Sequence, residues 1–303
     1  MPDPAHRRSP EPGATMGPVH VVIPTHTTRH LDLVLAALAR QTQRPDHIIV
    51  SCDTDDEAIG AVIKRCCRDF GISAWWLRRA HTGGERLCQV RNNGVRFLVE
   101  ELDAVRGRVL ILDGDMLASD TLVAQHKATA PQTPLTYAYR VNLDEATTGT
   151  LDAQRILTGE QTPPLTGPDR AELDRRDRRA RRHLLMRRLY IGPAHKPKLL
   201  GGHFSCDLDL YLRLNGFDEL YQGWGFKDDE FAYRAARTGA GVRIGISEMI
   251  AWHLWHPTRQ PSVPMRELPT ARRFEQRARL PLIAEHGVQN PLDQPALTWT
   301  GYE

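Results

Sequence analysis

Between residues 19 and 112, four short apolar runs alternate with three longer segments of helical period. Residues 19–23, 48–50, 73–79 and 109–112 are compact and rich in β-branched or aromatic side chains, as buried strands are. Residues 31–40 place Leu31, Val34, Leu35 and Leu38 on one face, and residues 57–70 and 85–101 continue the helical pattern. Strands and helices alternating at this pitch imply βαβ crossovers and a mostly parallel sheet. Ligands of such sheets bind beyond the carboxyl ends of the strands. That rule selects Pro24, Thr25 and His26, then Asp53, then Asp113 and Asp115.

With 303 residues, 41% hydrophobic and 25% charged, the chain can bury a sizeable core. Its net charge of +3 is too small to imply a nucleic-acid partner. Five cysteines without CxxC spacing argue against a disulfide framework and fit a reducing cytoplasm. Residues 1–18 are Pro-rich and lack an apolar h-region, so they read as a disordered tail. No apolar run reaches the ~20 residues of a membrane span. Residues 168–188 hold nine arginines against four acids. They read either as a solvated helix or mobile loop, or as a cationic rim for an anionic ligand or peripheral membrane contact. Beyond them a strand runs through Cys206, a helix starts at Asp207 and residues 215–217 turn. Strands at 242–246 and 250–255 and a final amphipathic helix over 272–286 complete the expectation.

Four motifs carry chemistry. Asp113-Gly-Asp115 ends a strand, where residues i and i+2 face one side and two carboxylates can meet one cation. Open carboxylate positions suit Mn2+ or Mg2+. In Trp252-His253-Leu254-Trp255-His256-Pro257, imidazoles favour Mn2+, but i, i+3 spacing on a strand sends them to opposite faces. One ligand is expected from the pair unless the chain bends near Pro257. Arg91, in Gln89-Val-Arg91-Asn92-Asn93-Gly94, reads by itself as a surface arginine, with a planar fork able to hold phosphate or carboxylate. Finally, Gly223-Trp224-Gly225-Phe226-Lys227 precedes Asp228, Asp229 and Glu230, acids suited to a first helical turn.

In this order the motifs resemble a known family. VVIPTHTTRHLDLVLAAL, HIIVSCDTDD, LCQVRNNGVRFL and LILDGDM look like inverting family 2 glycosyltransferases. GGHFSCDLDLYLRLNGFDELYQGWGFKDDEFAYR is similar to the C-terminal galactosyltransferase module shared by animal β-1,4-galactosyltransferases and bacterial chondroitin polymerases, and WHLWHP resembles their late histidine segment. The resemblance implies an α/β GT-A fold, a Rossmann-like nucleotide-binding half with a mixed sheet plus an acceptor-side C-terminal half. It divides the chain into 19–142, an Arg-rich insert at 143–198, a catalytic half at 199–260 and a helical extension at 261–303. It implies transfer of a hexose or N-acetylhexosamine from a UDP-sugar, with Mn2+ or Mg2+, to a saccharide, peptide or small-molecule hydroxyl. Pro24, Thr25, Asp53, Arg91 and Asp113 would serve the nucleotide, and Asp115 with His253 or His256 the metal. Gly202, Gly223, Trp224, Gly225, Lys227 and Asp229 would line the substrate site, and Asp228 would be the base. Lys227 stands where the family pattern has Glu, and is expected either to pair with Asp228 or Asp229 or to bind an anionic donor or acceptor. The alternatives are a retaining N-acetylgalactosaminyltransferase-like enzyme and an inactive nucleotide-sugar-binding protein.

Overall fold

The apolar strand at residues 19–23 becomes β1 (Val19–Thr25), buried along its length. It is followed by α1 (Leu31–Ala39), β2 (His47–Cys52), α2 (Glu57–Phe70), β3 (Ala74–Arg78), α3 (Leu87–Glu100) and β4 (Arg108–Leu112). The chain continues through β5 (Met116–Ala118), α4 (Leu122–Lys127), β6 (Leu135–Tyr137), β7 (Val141–Asn142), α5 (Glu145–Gly149), α6 (Ala153–Thr158) and α7 (Gly167–Arg188). It closes with β8 (His203–Asp207), α8 (Leu208–Arg213), α9 (Lys227–Arg237), β9 (Val242–Ile244), β10 (Ala251–His253), α10 (Pro269–Glu275) and β11 (Thr298–Tyr302). This computed structural model describes residues 17–129, 131–193, 195–257, 263–293 and 297–303. The expected tail thus falls almost wholly outside the described residues.

One eight-stranded sheet has the order β11-β3-β2-β1-β4-β8-β6-β9. Strand β1 pairs in parallel with β2 and β4, and β2 with β3, as the alternation predicts. The sheet is mixed because β8 enters antiparallel between β4 and β6. A small second sheet, β5-β10-β7, hangs from the end of β4. Its antiparallel register sets Met116 opposite His253. Among the described residues no helix is long and apolar enough to cross a membrane.

Local chemistry explains the elements. Asp56 caps α2 by accepting from Ala58 N–H at 3.0 Å, and Gly71 ends that helix at φ 62°. The Arg-rich segment is a helix, α7, although its apolar face is narrow. Thr166 and Asp169 form a capping box, and Pro168 lies in the first turn. Glu172 pairs with Arg175 and Arg176, and Asp177 with Arg181, so three- and four-residue spacings absorb part of the positive charge. Leu173, Asp177 and Ala180 make the buried stripe.

Two expectations fail near the C-terminus. The helix expected over 272–286 stops at Glu275, and residues 276–280 form short turns. Pro281 disfavours helical backbone at Leu280 and supplies no N–H. The final segment is not helical either: Thr298–Tyr302 pairs antiparallel with β3 as the sheet's edge strand.

Candidate active site

Strand β4 delivers Asp113 and Asp115 to the carboxyl end of the parallel sheet. The loop between them is fixed by backbone bonds, Asp113 N–H to Gly202 O at 3.0 Å and Gly114 N–H to Pro24 O at 3.2 Å. Thus Pro24 and Thr25 at the end of β1 support the loop from one side, and Gly202 from the other. A Cβ on Gly202 would lie 2.7 Å from Asp113 Oδ2, and one on Gly201 would overlap the Asp228 carboxylate. Both glycines are therefore there to let carboxylates approach the backbone.

Asp115 faces two imidazoles. Its Oδ2 lies 3.4 Å from His253 Nε2 and 3.1 Å from His256 Nε2, and the three ligand atoms fall within 4.8 Å of one another. The expectation of opposite faces is overturned because β10 ends at His253, so His256 is off the strand. The intervening bend is held by Trp255, whose N–H donates to Thr148 Oγ1 at 2.9 Å and whose carbonyl lies 2.8 Å from His30 Nε2. Burial pushes the Asp115 carboxyl up, but the His253 hydrogen bond and the two imidazole charges outweigh it, giving a net downward shift.

Arg91 is not a surface residue. Its side chain is 1% exposed, on the inner face of α3, and donates through Nη1 to Asp228 at 2.7 Å and through Nη2 to Asp113 at 3.2 Å. Burial alone would lower its pKa, but the Asp113 and Asp228 charges reverse that and raise it. Asp113 keeps a net upward shift, because burial and the neighbouring Asp115 and Asp228 outweigh Arg91. Next to Arg91, Asn92 pins the 215–217 turn by bonding both Phe217 N–H and Phe217 O.

The acids opening α9 diverge, each to its own cation. Successive helical residues point about 100° apart. Asp228 meets Arg91, Asp229 meets Lys198 at 3.1 Å, and Glu230 meets the buried Arg234 at 2.5 Å. Burial raises the Asp229 pKa despite Lys198. Lys227 pairs with neither neighbouring aspartate: its Nζ binds Glu85 and donates to Gly223 O at 2.8 Å. It thereby ties the Trp224 loop to the segment before α3. In that loop Gly223, Gly225 and Phe226 adopt φ of 74°, 87° and 61°. Trp224 is left 49% exposed, while Phe226 stacks on Phe274.

Asp53 sits one strand further along, accepting from Arg79 at 2.6 Å with His81 at 3.5 Å. Sequence reading missed Gly201, Arg79, Glu85 and His30. Only Gly201 had a visible signal, the Gly-Gly pair before a strand.

A family model described as the N-terminal domain of galactosyltransferase matches residues 183–251, which include Gly201, Gly202, Trp224 and Asp228. Comparison with curated proteins gives no match. Among solved structures, the chain is similar to GalNAc-T7 crystallised with UDP, GalNAc and Mn2+, at 15% identity and a TM-score of 0.57. That likeness covers 87% of this chain and 48% of that one, so the chain spans about half the length of the GalNAc-T7 chain. TarS of S. aureus gives 14% identity and a TM-score of 0.48 over 79% of this chain and 37% of its own. The architecture is the GT-A fold. Within it, the segment over residues 183–251 is similar to a galactosyltransferase domain.

Proposed function

We propose that the chain is a metal-dependent inverting glycosyltransferase. It moves a hexose or N-acetylhexosamine from a UDP-sugar to an acceptor hydroxyl, in a reducing cytoplasm. The observation that carries this reading is the Arg91 bridge, which holds Asp228 beside the Asp113-Gly-Asp115 loop. A carboxylate positioned by a buried guanidinium, yet 32% exposed, is suited to accept the proton of an attacking hydroxyl. Inversion needs that one base and no carboxylate nucleophile.

Asp115, His253 and His256 fit a divalent cation, since one carboxylate oxygen and two imidazole nitrogens converge and suit Mn2+ better than Ca2+. Bound there, Mn2+ or Mg2+ would supply Lewis-acid stabilisation of the departing diphosphate. Pro24, Thr25, Asp53 and Asp113 line the nucleotide side. Trp224 offers the sugar an apolar face and one N–H donor. Gly202, Gly223 and Gly225 provide close backbone approach, Asp229 orients Lys198, and Lys227 fixes the Trp224 loop. The acceptor is a saccharide, a peptide or a small molecule.

The test is a panel of UDP-sugars with Mn2+ and candidate acceptors, with the product anomer read by NMR. An inverted anomer is expected, and Asp228→Asn should lower turnover by roughly a hundredfold or more while UDP still binds. A retained anomer would select the retaining reading, and unchanged turnover in the variant would remove Asp228 from the base role. UDP binding without turnover on any acceptor would favour the inactive binding protein.

A further inference from the structure

Helix α7 is held to the sheet by Leu173, Asp177 and Ala180, so its opposite face looks outward. On that outer face Arg178, Arg182, Leu185 and Leu189 follow the spacing i, i+4, i+7, i+11, which aligns them in one stripe. All four are exposed. The stripe changes character along its length, cationic first and apolar at the helix end. Beyond the helix it is prolonged by Tyr190, 98% exposed, and Ile191, 56% exposed. This tip is an ordered turn: Leu189, Tyr190 and Ile191 donate their N–H groups to Leu185, Arg187 and Met186 carbonyls.

From Arg178 to the end of the helix the charged residues of α7 are all basic, with Asp174 one turn before them. Arg178, Arg179, Arg182 and Arg188 are exposed and have no carboxylate partner among the described residues, unlike Arg175, Arg176 and Arg181. Arg179 and Arg188 lie about a quarter-turn to either side of the stripe. Leu185 and Arg188 also line an open cavity of about 570 Å³, whose lining mixes Leu184, Val242 and Ile244 with Thr133, Arg181 and Arg243.

We infer that this end of α7 is a membrane-docking edge, in which Leu185, Leu189, Tyr190 and Ile191 enter the interface of an anionic bilayer. Arg178, Arg179, Arg182 and Arg188 form the collar that meets lipid phosphates. Charge complementarity selects the occupant: apolar residues backed by unpaired arginines match acyl chains beneath anionic headgroups. A nucleic acid or polyanionic glycan would use the arginines and leave the apolar tip in water. None of the residues named for this edge is among those assigned to sugar transfer, so the inference does not depend on that assignment.

The full chain should co-sediment with phosphatidylcholine vesicles containing about a third phosphatidylglycerol, and far less with phosphatidylcholine alone. Arg178→Gln with Arg182→Gln should weaken partitioning by roughly twenty-five-fold, since each arginine near the surface is worth roughly fivefold. Leu189→Ser, Tyr190→Ser and Ile191→Ser together should weaken it at least about tenfold, with unchanged thermal unfolding because these side chains are already exposed. Failure to bind either vesicle would overturn the inference, as would binding that survives the triple serine change. Two further outcomes would replace it. Tight binding to heparin or RNA that loses only with the arginine changes would mark a polyanion site. Dimerisation abolished by the serine changes would mark a self-association face.

Discussion

Replacing Arg91 by Met keeps most of the side chain's volume and removes the cation that Asp113 and Asp228 share. The guanidinium is 1% exposed, whereas the two carboxylates are 26% and 32% exposed. Breaking a fully buried pair costs about 3–5 kcal/mol, mostly through the charge left unpaired. Here each carboxylate can recover some hydration, and solvent screening reduces the cost to roughly 2–4 kcal/mol. The buried Nε of Arg91 makes no hydrogen bond, so its loss forfeits nothing. Urea unfolding of the full chain at neutral pH, in chelator, measures the effect. The decisive comparison is a double-mutant cycle with Asp228→Asn. That change alone should cost under about 1 kcal/mol, because Arg91 keeps Asp113. Combined with Arg91→Met it should recover roughly 1–2 kcal/mol, because one of two facing charges is gone. A single-variant cost below about 1 kcal/mol, or strict additivity of the pair, would show that Arg91 does not hold the two carboxylates together.

Two further outcomes follow from the same structure. Asp115→Ala removes the carboxylate that faces both imidazoles, so UDP affinity should lose its Mn2+ dependence in calorimetry; affinity that still rises with Mn2+ would place the metal elsewhere. The buried pair His126 and His203, 3.4 Å apart, is held neutral, and burial brings the His203 pKa down to about 4. Between that value and about 6.5 the unfolded chain binds the extra proton, so stability should fall as pH drops, by roughly 3 kcal/mol from His203 alone. His203→Gln should flatten that part of the urea-midpoint profile, and an unchanged slope would exclude His203 as its source.

The strand–helix alternation over residues 19–112 was legible because each element buries its own periodic face: β1, β2, β3 and β4 and the three helices between them lie within two residues of the expected bounds. The C-terminal part was legible only in pieces. Residues 298–302 carry no strand signal beyond Trp299 and Tyr302, and their pairing with β3 is set by a partner more than two hundred residues away. For the same reason the periodicity of residues 272–286 misled: Arg273 bonds Asp218 and Phe274 packs on Phe226, contacts that fix a short helix whatever the pattern beyond it.

At the site, residue types were legible and their pairings were not. Nothing local says that Arg91 reaches Asp228 across 137 positions, or that Lys227 turns to Glu85. The three acids after Trp224 show why. As a string, Asp228, Asp229 and Glu230 invite one explanation, a favourable helix dipole at the start of α9. In the fold they point three ways, and each direction ends on a different cation from a different element, Arg91 on α3, Lys198 before β8 and Arg234 within α9. Only Asp228 combines its cation with the Asp113 loop and with Gly201, whose missing Cβ leaves the carboxylate its space. The chemical distinction among three adjacent acids is therefore made entirely by what the fold brings to each. Arg91 and Gly201, and not the acidic run itself, single out Asp228.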